Sequence, residues 1–320
     1  MHPELVNIFG FSIAWYGVLI TAGVLIGAVL ANRLAAARGL NTDLLSDMIF
    51  WAVLWGLVGA RVFYIFTSLD EFRGASLLKL INIREGGISI HGGVVFGVFV
   101  LLYYQWRYRI NFYRYSDLMA YGLAFGIIGG RIGNFFNGSD TIGRLTSWPI
   151  GFTWPAEGSP ILGIFRSENN WTGFPGFCQA GGTYQMLNEA LCQLTGGSYL
   201  RGPVHLTQIY GALIGVALAV MTYLWLRSKR PGWVTWNFIL WYSVLRSVFE
   251  ETFRYNPLWW KVYLSEGPDA PGIGLFTATQ LFSIPIALVA AFMLWRIARQ
   301  PEQPHDAAAP SRQVRLGGAK

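Results

Sequence analysis

The chain has 320 residues, of which 53% are hydrophobic and 13% charged, with a formal net charge of +7; a soluble globular domain carries roughly 25% charge. Its apolar residues fall in blocks of about 20, the length a helix needs to cross ~30 Å of hydrocarbon, which excludes an ordinary soluble protein, a collagen-like repeat and a disulfide-stapled mini-domain. The basic residues lie in short segments between those blocks and form no continuous surface, so topology explains the charge and no nucleic-acid partner is expected.

Windows of about 19 residues predict seven spans, near 11–31, 44–67, 88–106, 118–137, 206–226, 233–253 and 277–296. All are expected to be helices, because an open strand in lipid leaves backbone groups unpaired and none of the blocks alternates like an outer-membrane barrel. The expected fold class is all-α: a polytopic membrane protein, a bundle of about seven transmembrane helices with a small extracytoplasmic cap. The first block lacks the basic flank of a signal peptide and reads as a retained span. Outside the spans, 13 Lys and Arg fall on one side and 8 on the other, which puts the N-terminus outside and the C-terminus in the cytoplasm. Residues 1–299 read as one membrane domain containing a long extracytoplasmic loop or cap over 138–205, and 300–320 as a solvated cytoplasmic tail. Cys178 and Cys192 both lie in that loop, and whether they pair is left open.

An Arg near a span centre costs about 2.5–3.5 kcal/mol, so it must face a partner, a wet cavity or a ligand. Three stand out: Arg61, Arg131 and Arg246. Arg246 and Glu250 are spaced i,i+4, either as a neutralising pair that eases insertion or as part of a site. Arg61 lies close enough to a span end to snorkel. Arg131 is followed by Gly133, Asn134, Asn137 and Gly138, a guanidinium fork with amides and little bulk, which suits an anion such as phosphate. His91 precedes Gly92-Gly93 and is accessible enough for proton transfer, with a structural role equally open. Tyr16 belongs either to this site or to an interfacial aromatic belt. The composite suits an anionic lipid headgroup, and residue chemistry alone does not separate an enzyme from a lipid-binding or lipid-moving protein. No metal or cofactor is expected, since no Cys, His or carboxylate cluster has ligand spacing.

The run Gly130-Arg131-Ile132-Gly133-Asn134-Phe135-Phe136-Asn137-Gly138, closed by Gly143-Arg144, resembles the pattern of the bacterial prolipoprotein diacylglyceryl transferase family. Supporting resemblances are Trp15-Tyr16-Gly17, Gly59-Ala60-Arg61, the stretch Gly86 to Gly93 around His91, His205 to Tyr210, Arg246 with Glu250, and Thr279 to Pro285. The resemblance implies an inner-membrane enzyme that moves the diacylglyceryl group of phosphatidylglycerol onto the lipobox Cys of a prolipoprotein signal peptide, forming a thioether and releasing glycerol phosphate. Such chemistry needs a deprotonated thiol and preorganised cations for the leaving phosphate. By resemblance, Arg131 and Arg246 hold the phosphate, and Asn134, Asn137, Tyr16 and Gly143 shape the site. Arg61, Asp140, Glu250 and Tyr210 contact substrate. His91 is the candidate base, or it orients the headgroup while an Arg-polarised water or the phosphate takes the proton. The sequence departs from the family pattern at Ser139-Asp140, where a Glu is expected after Asn-Gly, at Leu206 in place of Pro, and at Gly211 in place of Glu. Two other functions compete: an anionic-lipid transporter or flippase, disfavoured by the lack of a repeat between spans 1–3 and 5–7, and a catalytically inactive relative that binds lipid or signal peptides.

Overall fold

The computed structural model describes residues 4–9, 11–74, 76–82, 87–137, 143–144, 146, 148–152, 176–180, 183–187, 196, 198–200, 203–254, 258–263, 266–267, 270–271 and 274–303. Asp140, Cys192 and the tail beyond 303 lie outside the described residues, as does the Asn137 side chain. In chain order the elements are β1 (Glu4–Ile8), β2 (Phe11–Ala14), α1 (Trp15–Ala37), α2 (Thr42–Thr67), α3 (Leu69–Phe72), α4 (Leu77–Ile81), α5 (Ile90–Tyr108) and α6 (Phe112–Asn137). Then follow β3 (Gly176–Ala180), β4 (Thr183–Leu187), β5 (Ser198–Leu200), α7 (Thr207–Trp225), α8 (Trp233–Leu245) and a π turn (Arg246–Glu251). The chain closes with β6 (Leu258–Tyr263), β7 (Glu266–Gly267), β8 (Ala270–Pro271), β9 (Gly274–Thr277) and α9 (Ala278–Ala298).

Every predicted span coincides with a helix, and α1, α2, α7 and α9 are each long and apolar enough to cross a membrane. Their apolar faces are exposed, as at Leu25 (60%) and Leu288 (66%), which a lipid environment covers and water does not. The boundaries differ from the hydropathy reading. Phe11–Ala14, assigned to the first span, is a strand paired with β1, with Ile13 opposite Val6, because a window average does not distinguish a half-buried strand from the first turn of a helix. Besides that hairpin, the strands among the described residues lie in two connections between helices: β4-β3-β5 form an antiparallel sheet within the predicted cap, and β6–β9 encloses β7–β8 as nested hairpins.

The chain divides into two compact units, and α1, α6 and α8 each pass from one to the other. The first unit comprises Met1–Gly27, Tyr121–Trp225 and Trp236–Arg299. Here α1 and α6 approach until backbone touches backbone. A Cβ on Gly23 would lie 2.3 Å from the Phe125 carbonyl oxygen, one on Gly27 2.3 Å from that of Gly122, and one on Gly129 2.2 Å from that of Leu19. Small residues at such spacing are how membrane helices gain dispersion contact when lipid removes the hydrophobic drive. Thr277 starts α9 with a capping box, its side chain accepting from the Gln280 N–H while Gln280 reaches back to the Thr277 N–H, satisfying two orphan donors.

The second unit comprises Ala28–Ala120, Leu226–Thr235 and Gln300–Lys320. In it α2 packs on α5 through Gly59 and Gly92, whose added Cβ atoms would lie 2.6 and 2.2 Å from each other's carbonyl oxygens. The turn that leads into α8 is held from both ends. Asp117 accepts from the Gly232 N–H (2.8 Å), the Thr235 N–H (2.8 Å) and the Thr235 hydroxyl (2.6 Å), acting as a cap borrowed from α6. Arg38 donates to the Leu226 carbonyl at the other end, and Gly232, at φ +88, makes the bend that a side chain would strain.

Candidate functional site

Glycines on α6 bring Arg131 to a crowded, buried position. Gly133 leaves room for Tyr16, whose Cα would lie 2.9 Å from an added Cβ, and Trp15 stacks on Phe136 at 4.9 Å. Asn134 and Tyr16 are half-buried at this end of α1 and α6. The Arg131 side chain is 10% exposed, and its guanidinium lies 2.7 Å from the Glu250 carboxylate, which is 1% exposed.

Glu250 belongs to the π turn, and that turn changes the expected pairing. In an α-helix Arg246 and Glu250 would meet at i,i+4. One π turn aligns i with i+5 instead, so Arg246 donates to Glu251 at 3.3 Å and Glu250 is released to Arg131. The Arg246 guanidinium also donates to the Tyr242 hydroxyl at 2.7 Å. The turn is supported from α9: Gln280 donates to the Ser247 carbonyl at 2.9 Å and to the Thr252 hydroxyl at 3.2 Å. Thr252 itself donates to the Ser247 carbonyl at 3.0 Å. These bonds satisfy an acceptor that a regular helix would have used internally.

Glu251 is fully buried and gathers two guanidiniums, Arg246 at 3.3 Å and Arg254 at 3.4 Å, together with the Thr277 hydroxyl at 3.3 Å. Burial holds Arg254 below its usual pKa, with Glu251 opposing that shift and Arg131 adding to it. Among the described residues, Arg131, Arg246 and Arg254 against Glu250 and Glu251 leave one formal positive charge in excess, in a cluster whose carboxylates are buried and whose Arg246 and Arg254 side chains are each 20% exposed. The Nε–H donors of Arg246 and Arg254 have no hydrogen-bond partner among the described residues. A buried donor left unmade costs about 1–3 kcal/mol, so the cluster is chemically suited to an anion with several acceptor oxygens.

Gly143-Arg144 runs as an extended piece between two others. Arg144 N–H donates to the Phe253 carbonyl at 2.8 Å, and His205 N–H to the Arg144 carbonyl at 3.0 Å. Gly143 bridges to Arg254, and its added Cβ would lie 1.9 Å from the His205 carbonyl oxygen, so only glycine fits between these backbones. Beside it His205 pairs through Nδ1 with the Tyr210 hydroxyl at 3.1 Å and packs against Phe253 at 4.5 Å. Burial pushes the His205 imidazole down to about 4, so it is neutral at pH 7.

Of the residues singled out from sequence, the first unit therefore brings together Arg131, Glu250 and Arg246, with Tyr16 and Asn134 at the same end of α6, Gly143 on the extended piece and Tyr210 on the first turn of α7 beside His205. Arg61 and His91 belong to the second unit. Arg61 does not snorkel. It is 8% exposed and donates to the carbonyls of Lys79 (2.6 Å), Leu80 (2.8 Å) and Gly87 (2.8 Å), with the Phe72 ring 5.2 Å away. His91 is exposed on the first turn of α5, behind Ser89, whose N–H donates to Ala60. Sequence reasoning missed Glu251 and Arg254; the signal was there in two adjacent acids closing an apolar span, followed three residues later by a cation.

Similarity to known proteins accords with this arrangement. The profile of a family described as prolipoprotein diacylglyceryl transferase matches residues 3–296. A phosphatidylglycerol–prolipoprotein diacylglyceryl transferase of Deinococcus radiodurans is 49% identical over 305 residues, covering 94% of this chain and 86% of that protein. One of Thermus thermophilus is 44% identical over 298 residues, covering 92% and 98%. A protein of the same name from Thermoanaerobacter is 28% identical, covering 95% and 96%. The chain is a multi-pass membrane protein and belongs to the prolipoprotein diacylglyceryl transferase family.

Proposed function

We propose that this protein transfers the diacylglyceryl group of phosphatidylglycerol to the lipobox Cys of prolipoprotein signal peptides in the bacterial inner membrane. The observation that carries the reading is the cluster of Arg131, Arg246 and Arg254 on two buried carboxylates, which among the described residues is one formal positive charge in excess and has two Nε–H donors without a hydrogen-bond partner. In the reaction the thiolate sulfur attacks the glyceryl carbon that bears the phosphate ester. The C–S bond forms as the C–O bond breaks, glycerol phosphate leaves with the bonding electrons, and the thiol proton passes to a base.

Negative charge grows on the departing phosphate, and Arg131 and Arg246 stabilise it from preset positions. Asn134, Asn137, Tyr16 and Gly143 shape the headgroup site; Asp140 and Tyr210 complete the substrate contacts; Glu250 acts through Arg131. His91 is the candidate base, or it orients the headgroup while the phosphate takes the proton. Arg61, whose fork is committed to three carbonyls, contributes by fixing the segment that enters α5 at His91. The N-terminus lies outside and the C-terminal tail, 300–320, in the cytoplasm; residues 1–299 form the transferase domain.

The test is incubation of membranes containing the protein with phosphatidylglycerol and a lipobox peptide, followed by mass spectrometry of the peptide. A diacylglyceryl adduct on the Cys, absent with Arg131→Ala, is the expected result. Well-inserted wild-type protein that forms no adduct would refute the reading.

A further inference from the structure

α7 meets the Arg131 cluster with a residue that has no side chain. A Cβ built on Gly211 would lie 2.8 Å from both Cδ and Nε of Arg131 and 2.9 Å from Oε2 of Glu250, well inside van der Waals contact. One turn further along the same face, Gly215 is tight for another reason: its added Cβ would meet Cγ1 of Ile128 at 2.7 Å and the Ile128 backbone nitrogen at 3.1 Å. Gly215 thus accommodates helix packing, whereas Gly211 accommodates an ion pair. The volume a side chain would fill at 211 is taken by the stem of Arg131 on one side and the carboxylate of Glu250 on the other. Glu250 is free to be there because the π turn gives Arg246 to Glu251.

We propose that Glu250 and Gly211 are the positioning residues of Arg131. The carboxylate on the π turn sets the direction of the guanidinium, and the bare backbone of α7 leaves the space in which stem and carboxylate lie side by side. The proposal deepens the transferase reading and rests on it, since it takes Arg131 to hold the phosphate of the lipid. A planar fork binds phosphate by two parallel hydrogen bonds only when its plane is aimed correctly. A displacement of about 1 Å in a reacting constellation is enough to lower a rate by roughly 10²-fold.

The experiment measures kcat and KM for phosphatidylglycerol, with a lipobox peptide as acceptor, on purified full-length protein. The variants are Glu250→Gln, Gly211→Ala, their double, and Gly215→Ala, each with its thermal midpoint. Glu250→Gln keeps the side-chain shape, so the test does not depend on the chain tolerating a larger group at 211. The first two variants are expected to lose about tenfold or more in kcat/KM. Their double is expected to lose no more than the worse single, because both act on one guanidinium. Gly215→Ala is expected to lower the thermal midpoint and keep kcat/KM within about threefold of wild type. Wild-type kcat/KM in Glu250→Gln, or losses that multiply in the double, overturn the proposal. Absence of adduct from wild-type protein would instead overturn the transferase reading, and the two failures are distinguishable.

Discussion

In the second unit Arg61 gives its fork to three backbone carbonyls and lies over an aromatic ring; in the first, Arg131, Arg246 and Arg254 face carboxylates, and the Nε–H groups of Arg246 and Arg254 have no hydrogen-bond partner among the described residues. Both arrangements solve the problem of a cation removed from water, by different means. Carbonyl dipoles hold the charge of Arg61 by geometry and tie Lys79, Leu80 and Gly87 to α2, which is a structural use. Carboxylates neutralise most of the charge of the other three, yet leave a net positive charge and spare donors, which is the electrostatic character of an anion site. The number of donors left over, more than burial itself, separates a cation that holds the fold from one that faces a ligand.

Removing Arg131 breaks the comparison most directly. Arg131→Ala is expected to lower adduct formation by about 10³-fold, read by mass spectrometry on membranes in which the protein level is unchanged. Next comes the carboxylate that holds two guanidiniums. Glu251→Ala leaves Arg246 and Arg254, each 20% exposed, without their shared counter-charge, and is expected to destabilise by about 3 kcal/mol, seen as a lowered thermal midpoint in detergent. Arg61→Gln sharpens the contrast from the structural side: a loss of about 1–3 kcal/mol in stability, with KM for phosphatidylglycerol held within about threefold. Equal rises in KM for phosphatidylglycerol in Arg61→Gln and Arg131→Ala would erase the distinction between the two sites.

The smallest expected effect is pH dependence at His205, which supports the layer behind the cluster. Its imidazole is pushed down to about 4 by burial, against about 6.5 in an unfolded chain. Between these values the unfolded chain binds the extra proton, so the stability His205 contributes is complete above about pH 6.5 and is lost as pH falls toward 4. Thermal midpoints measured across that window should decline in wild type and decline less in His205→Gln. Parallel curves for the two proteins would show that His205 is not the group responsible.

Much of the architecture was legible along the chain because hydrocarbon thickness imposes a length on every span, and a one-dimensional hydropathy average reports length and apolarity well. Blocks such as 44–67 and 277–296 needed no tertiary information, and Arg131 with its run of glycines and amides stood out through composition alone as a candidate anion site. Helix starts were less legible. Phe11–Ala14 is as apolar as the helix it precedes, and only its pairing with β1 makes it a strand.

The identity of each ion partner was decided by tertiary structure. Spacing along the sequence assigned Glu250 to Arg246, on the assumption of 3.6 residues per turn; the π turn adds a residue to that turn, rotates the pairing to Glu251 and turns Glu250 toward a helix more than a hundred positions earlier. Gly211, a departure from the family pattern when read in sequence, becomes in three dimensions the gap in which that pair lies. Residue chemistry determined that a guanidinium removed from water needs a partner. Which carbonyl or carboxylate each one met depended on helix register and on backbone distances between remote segments, quantities that no local pattern contains.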